Sequence, residues 1–346
     1  MSDSLDFSSD TSAHAHPSVL EALAKANSGM AGSYGGDDLT EALRQRVCEV
    51  FETDVEILPL VSGTAANALS LSLLCGPTES ILCHEDAHIA CDERGAPEFF
   101  THGGKLELLS GEHSRIDANT LEARCARIDR SFLHATPPAA LSLTNLTETG
   151  TVYSASDISA LCAIAKTADL STHLDGARLG NALAYTGASP AEMTWKAGVD
   201  ILSFGLTKTG AMGCEIICLF GDVRRRIEEL RIRAKRAGHL PPKMRYLSAQ
   251  GLALLDNGLW LELAGRANSH AKHLSESLIL AHDAHLAAPV EGNEVFAYIP
   301  EALESALRSR GLKAYAWHNG AIRFVCNWDT NKEHVLGVRE ICQQFV

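Results

Sequence analysis

Two apolar runs in this chain end in charge. Leu170–Leu174 leads straight into Asp175, and Ile201–Leu206 is followed two residues later by Lys208. Short, continuous apolar runs of this kind read as strands buried on both faces, as in a parallel sheet. A carboxylate or an ammonium at the end of such a run is costly unless it is paired or used. The pair therefore predicts an α/β fold with a site at the strand ends.

The rest of the chain repeats the pattern. Val55–Leu60, Ile81–His84, Lys105–Leu109, Ala139–Asn145, Leu170–Asp175, Asp200–Gly205 and Cys214–Phe220 are the strand candidates. A short polar N-terminal segment precedes an amphipathic helix at Leu39–Glu52. Helices are also expected from Ser62 to about Cys75, at Ala155–Ala168, and at Val223–Ala237 with Gly238 as the stop. Strands alternating with helices imply a large, mainly parallel, seven-stranded doubly wound sheet, whose sites lie beyond the carboxyl ends of the strands. After about residue 250 the texture changes: a long helical stretch, Ser248–Leu280, precedes strand-like pieces at Glu294–Ile299 and Ala321–Cys326. The expected division is an N-terminal arm (1–14) associated with a small α+β domain (248–346), and a large domain (15–247).

Composition narrows the function. The chain has 346 residues, and 30 Lys+Arg against 43 Asp+Glu give a formal charge of −13. So acidic a chain is a poor partner for nucleic acid or an anionic membrane. No apolar run reaches 18 residues, so no membrane span is expected. None of the ten cysteines forms a CxxC pair, and the polar start Met1–Asp6 is unlike a leader; reduced thiols in a cytoplasmic protein are the expectation. Neither HExxH nor paired CxxC is present, so no metal site is expected, and the lack of GxGxxG and GxxxxGK[ST] argues against nicotinamide and nucleoside triphosphates. One basic stretch, Arg224 to Arg245 and including Lys235, stands out. It reads as a solvated helix face or, in its C-terminal part, as a place for an anionic cofactor.

The chemistry of the strand ends points to pyridoxal phosphate (PLP). Lys208 would form a Schiff base with the aldehyde, and Asp175 would keep the pyridinium nitrogen protonated so that the ring accepts a carbanion's electrons. Asp175 could instead pair with Arg178, and Lys208 could snorkel to the surface. Ser62-Gly63-Thr64 stands at a strand-to-helix junction, where free N–H groups favour an anion, or where a hydroxyl only caps the helix. His88, just after a strand, is either a ring to stack on a flat cofactor or a loop histidine. Arg323, inside a β-rich run, suits a substrate carboxylate or a core acid.

Taken together these residues resemble the low-specificity L-threonine aldolases and phenylserine aldolases, PLP enzymes of fold type I close to the β-eliminating lyases. The matching pieces span nearly the whole chain: Asp6–Asp10, Tyr34–Asp38, Ser62–Asn67, Ala87-His88, His173–Arg178, Leu206–Lys208 and Ile322–Phe324. The resemblance implies an aspartate aminotransferase-like fold and reversible cleavage of L-threonine, L-allo-threonine or phenylserine-type substrates to glycine and an aldehyde. It implies that Lys208 carries the cofactor, Asp175 meets the pyridinium, His88 stacks on the ring, and Ser62, Gly63 and Thr64 hold the phosphate. Ser9, Arg178 and Arg323 would bind the substrate carboxylate, with Tyr34 at the same site. A homotetramer is implied, with Lys235 and Arg245 reaching a neighbouring subunit's phosphate. Glu148 stands where many members have a histidine that contacts the substrate hydroxyl; His14, His16 and His88 are the alternatives for that task. The rival readings are another PLP lyase or a transaminase on the same fold, and a non-catalytic protein that keeps the fold.

Overall fold

The computed structural model describes residues Leu5–Val346. Met1–Ser4, with the part of the leader reading that rests on them, lie outside the described residues. Seven strands form the large sheet: β1 (Glu56–Leu60), β2 (Ser80–His84), β3 (Lys105–Leu109), β4 (Pro138–Thr144), β5 (Ser171–Gly176), β6 (Ile201–Gly205) and β7 (Glu215–Leu219). Their order is β1-β7-β6-β5-β4-β2-β3. β6, β5, β4, β2 and β3 are mutually parallel, whereas β7 pairs antiparallel with both β6 and β1. Direction is invisible in a continuous apolar run, so the sequence does not reveal β7's reversal. Its consequence is positional. The first residue of β7, Glu215, not its last, lies opposite Gly205 and Leu60 at the edge where β6 and β1 end.

The sheet is covered by apolar helices. Gly63–Leu74 is buried along most of its length, consistent with its Ala/Leu composition. On the other face Phe204 packs edge-on against Trp260 (4.9 Å between ring centres) and Phe51 (5.5 Å). Gly205 is obligatory in this packing: a Cβ there would stand 2.6 Å from the backbone of Ala177, so β6 and the turn after β5 can approach only because the side chain is missing.

A four-stranded antiparallel sheet, in the order β10-β11-β9-β8, forms a second core with β8 (His285–Leu286), β9 (Glu294–Tyr298), β10 (Tyr315–Ala316) and β11 (Ile322–Val325). Leu5 and Phe7 are buried in it beside Val295 and Phe324. The backbone of Phe7 donates to Lys313 O and accepts from Val325 N, so the arm is stitched to this sheet.

Three helix readings change. The polar N-terminal segment contains a helix, Pro17–Ala26, with Pro17 in its first turn and His16 as its cap. Val223–Ala237 is α-helical only from Ile227 to Arg236; Gly221–Arg226 is a 3₁₀ turn. Ser248–Leu280 is two helices, Arg245–Leu255 and Leu259–Leu278. Asp256-Asn257-Gly258 breaks it, because Asn257 (φ 51°) and Gly258 (φ 70°) take left-handed backbone that ends a helix. No described helix is long and apolar enough to cross a membrane.

Candidate active site

A cavity of about 320 Å³ opens at the strand-end edge, lined by Ser62, Gly63, Thr64, Asn67, His88, Thr144, Glu148, Asp175, Arg178, Thr207, Lys208 and Glu215. A roomier groove of about 610 Å³ runs between Pro17–Ala26 and Arg245–Leu255, but it gathers only scattered surface charges and no comparable constellation. The smaller cavity lies at the low end of the range for small-molecule sites and is where the chemistry converges.

Asp175 ends β5. Its Oδ2 accepts from Asn67 Nδ2 at 2.7 Å and its Oδ1 from the backbone N–H of Ala177 at 3.0 Å. The Arg178 alternative is therefore replaced by Asn67, which arrives from the helix over β1. The same Asn67 amide donates to Glu93 Oε1 at 2.8 Å, and His88 Nδ1 lies 2.8 Å from that oxygen. A chain thus runs His88–Glu93–Asn67–Asp175. The hydrogen bond to Glu93 raises the proton affinity of His88 above an ordinary histidine, against the opposing effect of burial.

Lys208 follows β6 in a 3₁₀ turn, Thr207–Thr209. Burial, reinforced by the Arg178 charge, lowers its pKa; Asp10, Asp175 and Glu294 oppose the shift. A partly desolvated lysine is the nucleophilic form that Schiff-base chemistry needs. Glu215 sits beside it, pushed up to about 7 by burial.

At the far end, Ser62 Oγ caps Ala65 N, while the N–H groups of Gly63 and Thr64, in the first turn of the helix, have no partner among the described residues. A Cβ on Gly63 would meet nothing within 4 Å, so the space beside it is open. Two unpaired donors at the start of a twelve-residue helix, facing a cavity, suit a phosphate. Lysine, carboxylate, ring and anion cradle all fit PLP.

Arg178 is locked in place. Its Nε donates to Asp10 Oδ2 at 2.7 Å, and Nη1 lies 3.4 Å from Glu294 Oε2. These two acids hold it charged against the burial that would neutralise it. Arg323 donates to Glu294 Oε1 at 2.6 Å, the core-acid alternative raised by the sequence. Glu294 therefore bridges both arginines.

Other candidates lie outside the cavity lining. Ser9 caps a short 3₁₀ turn, its Oγ accepting from Thr11 N, and Thr11 reaches the cavity. His14 is exposed against Trp328 and Asp329, and His16 packs on the same Trp328. Lys235 stacks over the Tyr34 ring, 4.2 Å from its centre, and Arg245 donates to the carbonyls of Ser28 and Gly29. No group of three or more His, Cys, Asp or Glu among the described residues could hold a metal ion.

The sequence profile described as beta-eliminating lyase matches residues 6–302. A low specificity L-threonine aldolase from Pseudomonas sp. (strain NCIMB 10558) is 40% identical over 333 residues, 96% of this chain and 95% of the relative. The chain belongs to the beta-eliminating lyases, in the low-specificity L-threonine aldolase group. Solved structures agree on the fold of this lyase. A threonine aldolase from Leishmania major superposes with TM-score 0.90 at 24% identity, covering 98% of both chains. A serine palmitoyltransferase from S. paucimobilis with bound PLP–myriocin gives 0.73 at 14%, covering 98% of this chain and 86% of that one.

Sequence reasoning gave no role to several residues that shape the site of this lyase: Asp10, Asn67, Glu93, Glu215 and Glu294. Asp10 and Asn67 fall inside the quoted motifs, but their partners, Arg178 and Asp175, lie 168 and 108 residues away. Glu294 did carry a signal, as an acid opening an otherwise apolar strand.

Proposed function

We infer that this chain is a PLP-dependent aldolase that cleaves L-β-hydroxy-α-amino acids of the threonine and phenylserine type to glycine and an aldehyde, and runs the reverse addition. The observation that carries the reading is Lys208, half-buried in the turn after β6 and sharing one cavity with Asp175 near the end of the adjacent β5 and with the N–H groups of Gly63 and Thr64. The 40% identity to a low specificity L-threonine aldolase over nearly the full length selects the reaction within the fold.

When bound, the cofactor supplies the electron sink for the Cα–Cβ pair. The chain does the rest. Lys208 would hold the cofactor and be the group the substrate amine displaces. Asp175, fixed by Asn67 and Ala177 N–H, would keep a proton on the ring nitrogen. The Gly63 and Thr64 N–H groups, with Ser62 alongside, would hold the phosphate, and His88, steadied by Glu93, would lie against the ring. Arg178, Arg323 and Ser9 orient the substrate carboxylate, with Tyr34 nearby; a carboxylate arriving at Arg323 shares it with Glu294. Residues 15–247 form the cofactor-binding body, and 248–346 with the arm 1–14 form the small domain. Four copies assemble in the cytoplasm, and Lys235 and Arg245 serve a neighbouring copy's phosphate.

The test is product analysis with L-threonine, L-allo-threonine and phenylserine, with and without added PLP. Glycine plus the matching aldehyde, dependent on PLP and on Lys208, is the expected result. Pyruvate and ammonia, or a requirement for a keto acid, would replace the aldolase reading with elimination or transamination.

A further inference from the structure

We propose that Glu148 is the general base that takes the proton from the substrate's β-hydroxyl. The inference rests on the aldolase reading, because only that reaction begins with loss of a hydroxyl proton.

The turn after β4 presents Glu148 to the cavity in a fixed position. Thr147 N donates to Thr151 O and Gly150 N to Thr147 O, while the hydroxyls of Thr147 and Thr151 both reach the carbonyl of His113. One carboxyl oxygen, Oε1, accepts from His88 N–H at 2.9 Å. The other, Oε2, is shut away from solvent and has no hydrogen-bond partner among the described residues, although the residue lines the cavity with Lys208 and Asp175. A buried acceptor left open beside a reaction site is suited to a donor that comes with the substrate.

The electrostatics suit proton transfer near neutrality. Burial raises the Glu148 pKa to about 7; the Asp175 charge adds to this, while the His88 N–H and the nearby Thr144 hydroxyl oppose it. The Glu148 charge also acts on Cys83, Cys91 and Tyr153. At such a pKa the group accepts a proton in one half of the cycle and releases it in the other.

The competing groups in the cavity are otherwise engaged. His88 Nδ1 is engaged by Glu93 Oε1 at 2.8 Å. Glu215 titrates in the same range but lies beside Thr207 and Lys208. His14 and His16 pack on Trp328 and do not line the cavity.

The step balances simply. The hydroxyl O–H bond breaks and an Oε2–H bond forms. The freed oxygen pair becomes the second C–O bond of the aldehyde, and the Cα–Cβ pair stays with Cα. Cα later takes a proton to give glycine, and Glu148 returns its own to solvent.

The experiment compares two reactions in wild type, E148Q and E148D holoenzyme: cleavage of phenylserine, and exchange of the glycine α-hydrogen with deuterated water. Exchange needs Lys208 and the cofactor but no hydroxyl. E148Q is expected to lose roughly 10²–10⁴-fold in cleavage while keeping exchange near the wild-type rate, and E148D to recover part of the cleavage. Infrared difference spectra of the cofactor-free chain should show two carboxyls that titrate near neutral pH, Glu148 and Glu215; E148Q should lose one of them and keep the other. Cleavage by E148Q at the wild-type rate, or equal loss of exchange and cleavage in both variants, would overturn the assignment. Wild-type protein that exchanges glycine but cleaves no β-hydroxy amino acid would overturn the aldolase reading itself.

Discussion

Asn67 Nδ2 stands 2.7 Å from Asp175 Oδ2 and 2.8 Å from Glu93 Oε1, so one amide group separates two buried acids. Asn67→Leu removes that donor from both. A hydrogen bond to a charged group contributes about 1.5–3 kcal/mol, so PLP affinity, read by absorbance titration, should weaken roughly ten- to a hundredfold. An unchanged affinity would show that Ala177 N–H alone is enough to hold Asp175.

Lys208→Ala should remove covalent attachment of PLP. Borohydride treatment of the wild type should fix the cofactor to the peptide containing Lys208, detectable by mass spectrometry, and should fix none in the variant. Turnover should fall by roughly 10²–10⁴-fold or more, the scale of losing a positioned proton-transfer group.

Asp10 answers to acid. Burial would raise its pKa, but Arg178, Lys208 and Asn293 outweigh burial and hold it well below the ordinary value of 3.8. A depressed carboxylate contributes stability that is complete above the unfolded value and is lost as pH falls toward the folded one. Asp10→Asn breaks a buried pair, at about 3 kcal/mol, and takes this acid-dependent part with it. The thermal midpoint of the variant should start lower than that of the wild type and drop less between pH 5 and pH 3.

His173 gives a second pH signature. Its ring nitrogens each lie 2.9 Å from a hydroxyl, those of Ser142 and Ser203, and burial lowers its pKa from 6.5 to about 4. Below pH 6.5 the unfolded chain takes up the proton first, so stability declines as pH falls from 6.5 toward 4, by up to about 3 kcal/mol at 1.36 kcal/mol per unit. Urea unfolding of His173→Gln, whose amide does not titrate, should lack this slope.

Gly205→Ala places a methyl group 2.6 Å from Ala177 backbone. Overpacking of this kind costs about 1–3 kcal/mol. Because the clash separates the turn just after Asp175 from the strand leading to Lys208, PLP affinity should fall along with the thermal midpoint. A variant that loses stability alone would show that the strands yield without disturbing the site.

The frame of the site was legible because burial conflicts with charge. Asp175 and Lys208 announce themselves as ionisable groups after runs such as Leu170–Leu174 and Ile201–Leu206, and all seven apolar runs became strands of the large sheet. Asn67 stayed silent for the opposite reason: a single amide in an Ala/Leu helix is unremarkable until the acids it joins, 26 and 108 residues away, are brought together. The direction of β7 was hidden as well, and with it the arrival of Glu215 at the site. The helix Pro17–Ala26 was masked by the polar segment around it, and the break at Asp256–Gly258 by apolar periodicity that continues on both sides.

Residues 5 to 10 run from the small sheet, where Phe7 is stitched to Lys313 and Val325, to Arg178 beside the large one. Such a segment works as a tether under two-point load. A tag, truncation or crosslink that pulls on it would leave every cavity-lining side chain in the sequence, yet would strip a counter-ion from Arg178 and loosen the seam between the two sheets in one stroke.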